Sequence, residues 1–547
     1  MFNMRKIIFG SILVLLFSYW AIRPLFTSGF FPMHDDTQIA RVVAMGRALR
    51  NGQFPVRWVS ELGYGYGYPI FNFYGPLPYY VGGGLYALGL SGLTATKLMF
   101  ALGIMGAGVA MYLTSLTFLG HVGAMVASAF YMYAPYHAVQ IYVRGSVGEF
   151  WVLIFLPFLF WGFLSKSKLI GGIGLAGIIL SHTLLGYATT TLLIVGLVGY
   201  WIIRRLLQHF DWSLVIGHWS LILIGLGLSA FFWLPAITEI AYTNVREQIS
   251  ATANYMDHFV CLSQLWNSMW GFGGSTAGCL DGISFKLGKI HVIVAAAGLA
   301  LLWINRQKTL FSYALTALGI TLAAVALLLH FSIPLWNTLP RLAYLQYPWR
   351  FLTFAIFGLS ALSGTIVACS RNTIVRFGVA SACIAAVIVL NAKWFAPQYV
   401  YPKNLESFET SEELRWRVSK ISDEYLPPAV VRPRALPEVP QGAILPRGDL
   451  EVETERENEI YAKFALLSTI SQPVTIHRAY FPGWRYWVNG VETLSHLADG
   501  LPVLSVPQGR SVVEMRLTNT PVRTLGNVLS AVTVILLLYV YGKKIHS

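Results

Sequence analysis

The organisation of the chain is decided by residues 33–80, which begin MHDD and end GYGYGYPIFNFYGPLPYY. Asp35 and Asp36 are adjacent carboxylates that follow directly after His34. The preceding segment, residues 7–25, is apolar enough to cross a bilayer, so the two carboxylates lie just beyond a membrane. Ionisable groups in such a place are costly and usually functional. We therefore expect this stretch to contribute to a site.

The composition around this stretch is that of an α-helical polytopic membrane protein. Of 547 residues, 55% are hydrophobic and 12% are charged, and the mean hydropathy is +0.58. Apolar runs long enough to cross a membrane recur along the chain and predict about twelve helices. Their predicted bounds are roughly 7–25, 96–119, 122–140, 149–165, 169–182, 184–203, 213–235, 290–304, 309–330, 350–369, 374–394 and 522–541.

The positive charges predict the orientation of these helices. Arg5 and Lys6 precede the first helix, which we interpret as a retained signal anchor with a cytoplasmic N-terminus. Five later basic clusters then fall in cytoplasmic loops: Lys166 and Lys168, Arg204 and Arg205, Arg306 and Lys308, Arg371 and Arg376, Lys543 and Lys544. The net charge of +14 is explained by these loops, so we expect no nucleic-acid partner.

Residues 26–95 form the first outer loop of this topology. Counting its apolar segment 76–90 as a crossing would invert every later loop, so we predict a re-entrant or surface helix there. A second helix runs to Arg50, with Asp36 or Thr37 as its N-cap and Asp36 the better placed. Capping explains one Asp but not both. The Gly- and Tyr-rich segment 63–80 fits either an interfacial aromatic belt or a rigid surface for a sugar or isoprenoid.

Other polar residues fall at the outer ends of the predicted helices. Arg144 and Glu149 suit a structural salt bridge as well as a site, and a lone His182 in a tight turn is more often structural than catalytic. Arg341 and Arg350 suit either contacts to a lipid phosphate or snorkelling to the interface.

The largest outer loop before the C-terminal region, residues 236–289, holds Cys261 and Cys279, which predict a disulfide. The remaining cysteines, Cys369 and Cys383, fall in predicted helices.

The composition changes at residues 395–521, where charge and proline rise. Short alternating runs at 474–476, 486–488 and 512–517 predict strands, and Asn489-Gly490 predicts a hairpin turn. We therefore divide the chain into a helical membrane domain (1–394), an extracytoplasmic β-sandwich-like domain (395–521) and a final helix with a cytoplasmic tail (522–547).

Together these features resemble the GT-C superfamily of membrane glycosyltransferases, which combine many helices with acidic residues in the first outer loop. More closely, five motifs in order resemble a bacterial family of membrane proteins labelled "6-pyruvoyl-tetrahydropterin synthase-related". The motifs are HDD (34–36), GYGYPIFNFYGPLPYY (65–80), YVRGSVGEF (142–150), LQYPWRF (345–351) and YFPGWRYWVNG (480–490).

The resemblance implies a sugar transferase that uses a polyprenyl-phosphate-linked donor. Asp35 matches the acidic residue that activates or orients the acceptor, Asp36 could share this task, and Glu149 matches a second acidic position. Arg350 is the candidate for the donor phosphate. Further predicted substrate contacts are His34, Arg57, Tyr68, Tyr74, Arg144, His182 and Gln346. No cofactor is certain; a divalent cation is left open, and its ligands are unknown.

Three functions are compatible with this sequence. The first is an inverting glycosyltransferase of the bacterial cytoplasmic membrane that acts, on the outer side, on a cell-envelope glycan, lipid or protein. The second is a transporter or flippase for a lipid-linked sugar, which the scarcity of charges within the spans disfavours. The third is a non-catalytic envelope scaffold whose β-domain does the binding.

Overall fold

The computed structural model describes residues 4–165, 167–206, 212–245, 254–307, 310–368, 370–401, 405–446 and 448–546. Lys166, Lys308 and Cys369 lie outside the described residues, as do the side chains of Arg341 and Lys544. The chain divides into two compact units. The first comprises Met1–Asp35, Lys97–Leu228 and Ala251–Pro402, and the second Asp36–Thr96, Ser229–Ser250 and Lys403–Ser547.

The first unit consists mainly of apolar helices. They are Met4–Phe17, Tyr19–Ile22, Gly92–Met132 (whose first residues belong to the second unit), Val147–Leu164, Lys168–Ser181, Thr183–Leu206, Trp212–Leu228, Lys289–Ile304, Phe311–Leu328, Leu352–Ser363 and Thr373–Asn391. The predicted break between residues 119 and 122 is confirmed. Gly120, at φ 69° and ψ 179°, interrupts the stretch Gly92–Met132, and glycine adopts this backbone conformation without the penalty that a side chain would add.

The predicted series of long apolar helices is confirmed, whereas the predicted number of crossings is not. Among the described residues, seven helices are long and apolar enough to cross a membrane, or nine if each of two bent pairs is one span. Lys168–Ser181 and Lys289–Ile304 are shorter apolar helices. Twelve crossings and their orientation therefore stay predictions.

The first outer loop contains two helices in the second unit, Gln38–Arg50 and Leu77–Ala87. The helix Leu77–Ala87 has 11 residues and so spans about 16 Å, too short for a hydrocarbon core of about 30 Å. It packs closely on its neighbour through glycine, because a Cβ on Gly83 would lie 2.4 Å from Cγ of Met45. A surface or re-entrant helix is thus compatible with its length.

The C-terminal region is β-rich, as predicted. Its strands are β1 (Leu450–Glu457), β2 (Tyr461–Ser468), β3 (Gln472–Thr475), β4 (Trp484–Val488), β5 (Val491–Thr493), β6 (His496–Ala498), β7 (Leu501–Val506) and β8 (Gly509–Leu517). They form two antiparallel sheets, in the orders β1-β2-β8-β4-β5 and β3-β7-β6. The predicted hairpin is confirmed, because Val488 pairs with Val491 and both Asn489 and Gly490 have positive φ.

The second unit groups the chain differently from the predicted domains. The first outer loop belongs with the β-strands rather than with the first unit's helices. Trp58 of this loop lies 5.9 Å from Phe481 and 5.6 Å from Trp484, measured between ring centroids. The helices Ala230–Glu239 and Pro521–His546 complete the unit, and Glu239 and Arg523 join them in a buried ion pair of 3.0 Å.

Candidate functional site

The backbone of His34 and Asp35 is fastened to the segment that carries Arg144. The amide of His34 donates to the carbonyl of Val143 at 3.1 Å, and the amide of Asp35 donates to the carbonyl of Arg144 at 2.9 Å. Arg144 ends a π-helical turn and Gly145 follows it with φ 65°. A Cβ on Gly145 would lie 2.1 Å from Sδ of Met33, so only glycine allows this close approach. Asp35 is thereby placed beside Arg144.

Glu149 is the centre of a buried polar cluster in the first unit. Its side chain is fully buried in the first turn of the helix Val147–Leu164, where its negative charge suits the helix dipole. Five side chains surround the carboxylate: Arg144 Nη1 at 2.7 Å, Tyr136 Oη at 2.6 Å, Gln140 Nε2 at 3.1 Å, Thr353 Oγ1 at 3.3 Å and Arg350 Nε at 3.6 Å. A carboxylate so enclosed holds its neighbours in place and has little room to contact a substrate.

Two guanidinium groups therefore face one carboxylate. Arg144 and Arg350 carry one more positive charge than Glu149 balances. The negative charge of Asp35 also acts on the guanidinium of Arg144. Burial lowers the pKa of Arg144, but the charge of Glu149, followed by Tyr136 and Asp35, outweighs burial and raises it above its ordinary value. The site thus combines excess positive charge with an acidic residue at its edge.

Aromatic rings fix the two arginines. The guanidinium of Arg144 lies 4.4 Å from the ring centroid of Trp349, and that of Arg350 lies 5.0 Å from the ring centroid of Tyr347. The two rings stack on each other at 4.9 Å, and Trp349 also stacks on Phe285 at 5.8 Å. Such cation–π contacts favour a guanidinium that keeps its charge while it is withdrawn from water.

Arg350 does not snorkel, contrary to one of the two interpretations of the sequence. Only 8% of the residue is exposed, and its Nη1 donates to the carbonyl of Leu345 at 2.7 Å. Its Nε points to Glu149 and makes no hydrogen bond within the described residues. Gln346 is half-buried and has φ 62°. It directly follows Leu345, whose carbonyl accepts the hydrogen bond from Arg350. The buried carboxylate draws the guanidinium inwards.

His182 has a structural role in addition to its place near the arginines. Its Nδ1 accepts a hydrogen bond from the amide of Leu185 at 3.1 Å, at the start of the helix Thr183–Leu206. Burial, and then the positive charge of Arg350, lower the pKa of His182 to about 3. The imidazole is therefore neutral near pH 7. His34, by contrast, is exposed, and its Nε2 lies 3.0 Å from the carbonyl oxygen of Phe272.

Asp36 does not cap a helix, so the preferred capping assignment was wrong. The helix starts at Gln38 with Thr37 as N-cap, and no side chain makes a capping hydrogen bond. The carboxylate of Asp36 instead forms an ion pair with Arg417 at 3.2 Å. Arg417 also pairs with Glu413. A long-range cation in the second unit thus outcompetes the local amide groups.

Three further predicted substrate contacts lie in the second unit and are held by protein groups. Arg57 is 4% exposed and Tyr68 1%. Arg57 donates to the carbonyl of Phe231 at 2.6 Å and to Asn72 Oδ1 at 3.1 Å, while Tyr68 accepts from the amide of Tyr425 at 3.1 Å. Both residues are therefore packed against protein groups, and substrate binding by them stays a prediction. Tyr74 is half-buried, and its ring faces the guanidinium of Arg41 at 4.4 Å.

The sequence interpretation missed Tyr136, Gln140 and Thr353, which complete the shell of Glu149. A polar residue within an apolar helical run was the available signal, and it is a weak one.

The predicted cysteine pair is joined, because Cys261 and Cys279 form a disulfide with their Cα atoms 5.7 Å apart. In the part of the chain that the structure describes, no three His, Cys, Asp or Glu side chains converge to hold a metal ion.

No protein-family model matches the chain, so its resemblance to the "6-pyruvoyl-tetrahydropterin synthase-related" family stays a prediction. An uncharacterized protein of Lactococcus lactis subsp. cremoris is 26% identical over 252 residues, which are 44% of this chain and 41% of that protein. The chain thus matches less than half the length of this relative.

Two solved structures show remote similarity to this chain. The arabinofuranosyltransferase AftD from Mycobacteria matches with a TM-score of 0.44 and 15% identity, over 74% of this chain and 28% of that one. ArnT from Cupriavidus metallidurans, bound to undecaprenyl phosphate, matches with a TM-score of 0.28 and 12% identity, over 71% and 88% respectively. At these values neither similarity assigns a fold or an activity to this chain.

Proposed function

We propose that this protein is a membrane glycosyltransferase that moves a sugar from a polyprenyl-phosphate-linked donor to a cell-envelope glycan, lipid or protein. It would work in the bacterial cytoplasmic membrane with its site and β-domain on the outer side. One observation carries the proposal: Asp35 is fastened beside Arg144, which shares the buried Glu149 with Arg350. Sugar transfer from a lipid phosphate needs a base and positive charge in such proximity.

In the proposed reaction the hydroxyl oxygen of the acceptor attacks the anomeric carbon of the donor from the face opposite the phosphate. The bond between this carbon and the phosphate oxygen breaks, and its electron pair leaves with the phosphate. Asp35 accepts the hydroxyl proton. Arg144 and Arg350 stabilise the charge that develops on the phosphate, because one carboxylate leaves their combined charge in excess. Glu149 acts as a positioning residue that holds both guanidinium groups.

Asp35 is preferred to Asp36 as the base for a structural reason. The carboxylate of Asp36 forms an ion pair with Arg417 at 3.2 Å within the second unit, so it is already bound by a side chain that is not part of the Glu149 cluster. Asp35 instead contributes to the electrostatic environment of Arg144. This assignment leaves Asp36 with a role in anchoring its own segment.

The positions of the buried charges favour an enzyme over a transporter. Glu149 is the third residue of the helix Val147–Leu164, and Arg350 is the third residue of the candidate span Pro348–Val367. Both charges thus lie at the ends of apolar segments. Transporters commonly place ionisable residues near the middle of the membrane. A non-catalytic scaffold would need no such cluster at all.

The test compares cells with and without the protein by mass spectrometry of lipid-linked sugars and envelope glycans. Cells that lack it should accumulate a polyprenyl-phosphate-linked sugar and lose one sugar modification, and the wild-type gene should reverse both. Asp35→Asn, at equal abundance in the membrane, should reduce transfer by about 10²–10⁴-fold, the contribution of a general base. The matched control is Asp257→Asn, an exposed aspartate of the same unit, which should restore transfer fully.

Two outcomes would contradict the proposal. Unchanged lipid-linked sugars and glycans in cells without the protein would remove the transferase function. Full transfer by Asp35→Asn would remove the assigned base.

A further inference from the structure

A second positively charged feature of the first unit lies outside the Glu149 cluster. Three lysines and three tryptophans form what we call the lysine–tryptophan cluster: Lys286, Lys289, Lys393, Trp266, Trp270 and Trp394. Lys286 Nζ lies 4.5 Å and Lys393 Nζ 4.7 Å from the ring centroid of Trp394. Trp270 stacks on this ring at 4.7 Å, and Lys289 Nζ lies 5.4 Å from the ring centroid of Trp266.

The three lysines repel one another without an acidic partner. Within the described residues no ion pair joins any of them to a carboxylate. Burial, and then the charges of Lys393 and Lys289, lower the pKa of Lys286. The tryptophan rings offset part of this repulsion, because an aromatic face attracts a cation. The cluster is therefore electrostatically suited to an anion.

The cluster lies where two apolar helices end. Lys289 is the first residue of the helix Lys289–Ile304, and Trp394 ends the candidate span Thr373–Trp394. The loop beside Trp266 and Trp270 exposes 70% of Leu262 and 77% of Met269. Tryptophan, lysine and exposed apolar side chains at helix ends are typical of the boundary between a bilayer and water.

We propose that the lysine–tryptophan cluster binds the phosphate of an anionic membrane lipid. The ammonium groups of Lys286 and Lys393 supply the charge and hydrogen bonds for a phosphate, and the tryptophan rings lie at the level of the lipid headgroup. Bilayer phospholipids and a polyprenyl phosphate share this chemistry. The proposal is independent of the sugar transfer proposed above, because it concerns different residues and needs no reaction.

The experiment measures lipid binding to the full-length protein in detergent by native mass spectrometry. The probes are phosphatidylglycerol, zwitterionic phosphatidylcholine, undecaprenyl phosphate and inorganic phosphate. Lys286→Gln/Lys393→Gln should bind phosphatidylglycerol about tenfold more weakly or worse than wild type, since each lysine near an anionic surface contributes roughly fivefold. Lys286→Arg/Lys393→Arg keeps both charges and should retain the binding, which separates loss of charge from misfolding.

The matched control is Lys420→Gln/Lys463→Gln, which also removes two positive charges. Lys420 lies 4.5 Å from the ring of Trp416 and Lys463 pairs with Glu455, so neither belongs to the cluster. This control should bind phosphatidylglycerol as wild type does. A stronger effect of the cluster variant on undecaprenyl phosphate would support the site and identify the polyprenyl carrier as its lipid.

Three results would overturn the proposal: wild-type affinity of the Gln variant for both anionic lipids, an equal loss in the control, or binding of phosphatidylcholine or inorganic phosphate as strong as that of phosphatidylglycerol.

Discussion

Replacement of Glu149 by Gln tests the buried cluster most directly. The substitution keeps the shape of the side chain and an oxygen that can accept the hydrogen bond from Tyr136, but it removes the charge that faces two guanidinium groups. Arg144 and Arg350 are then left buried with like charges opposed. Removal of one partner from a buried ion pair costs about 3–5 kcal/mol. Because a folded domain is stable by only about 5–15 kcal/mol, a loss of this size is readily measured.

The assay measures the free energy of unfolding by denaturant titration of the protein in detergent, at a fixed lipid content. Glu149→Gln should lose about 3–5 kcal/mol. Of the two ion pairs of Glu149, Arg350→Met removes the longer one, at 3.6 Å, and leaves the pair with Arg144 at 2.7 Å, so it should cost less. This order of effects is expected because Glu149 balances two buried cations, whereas the loss of Arg350 leaves Glu149 paired with Arg144.

The matched control is Glu492→Gln in the β-rich region. Glu492 pairs with Arg485, but both side chains are about half exposed, so water replaces the lost contact and stability should hardly change. A loss below about 1 kcal/mol for Glu149→Gln, no greater than that expected for a surface pair, would refute the argument that this carboxylate holds the two guanidinium groups.

Two further predictions concern pH and topology. The pKa of His182 is lowered to about 3, so the unfolded state, with an ordinary pKa of about 6.5, binds a proton that the folded state does not. Stability should therefore be full above pH 6.5 and fall as the pH decreases from about 6.5 towards 3. His182→Asn should make this slope shallower by at most about 1.4 kcal/mol per pH unit in denaturation at several pH values; identical slopes would contradict the assignment. The charge pattern predicts a cytoplasmic C-terminus, so a C-terminal fusion to a reporter active only outside the cytoplasm should be silent, and an active fusion would invert the topology.

Much of the local structure could be predicted because its causes are local in sequence. Long apolar runs predicted helices, the interruption near Gly120 was correctly located, and Asn489-Gly490 predicted its hairpin. The closeness of Arg144 and Glu149 also followed from the sequence, since they are five positions apart at the start of one helix. In each case the deciding interaction lies within a few residues of the chain. The pair of Arg144 and Glu149 is the part of the candidate site that is local in this sense.

The errors came from contacts between distant segments. Asp36 had the sequence position of an N-cap, but Arg417, 381 residues later, binds its carboxylate. Remote contacts also surround two predicted substrate contacts, Tyr68 of the Gly- and Tyr-rich segment and Arg57 before it, because partners from distant segments bury both. No pattern of neighbouring residues contains such information, because a side chain accepts whichever partner the fold brings to it.

The sequence by itself thus determined the helical and β-rich classes, the turns and the polar residues available for a site, because hydrophobic periodicity and backbone preference act over short distances. Only the tertiary structure decided which of these residues meet. It turned Arg350 inward to Glu149, fastened Asp35 to the backbone of Arg144 and grouped the first outer loop with the β-strands. The physical reason is that a buried charge is stable only beside its counter-charge and hydrogen-bond partners, and folding, not sequence proximity, selects them.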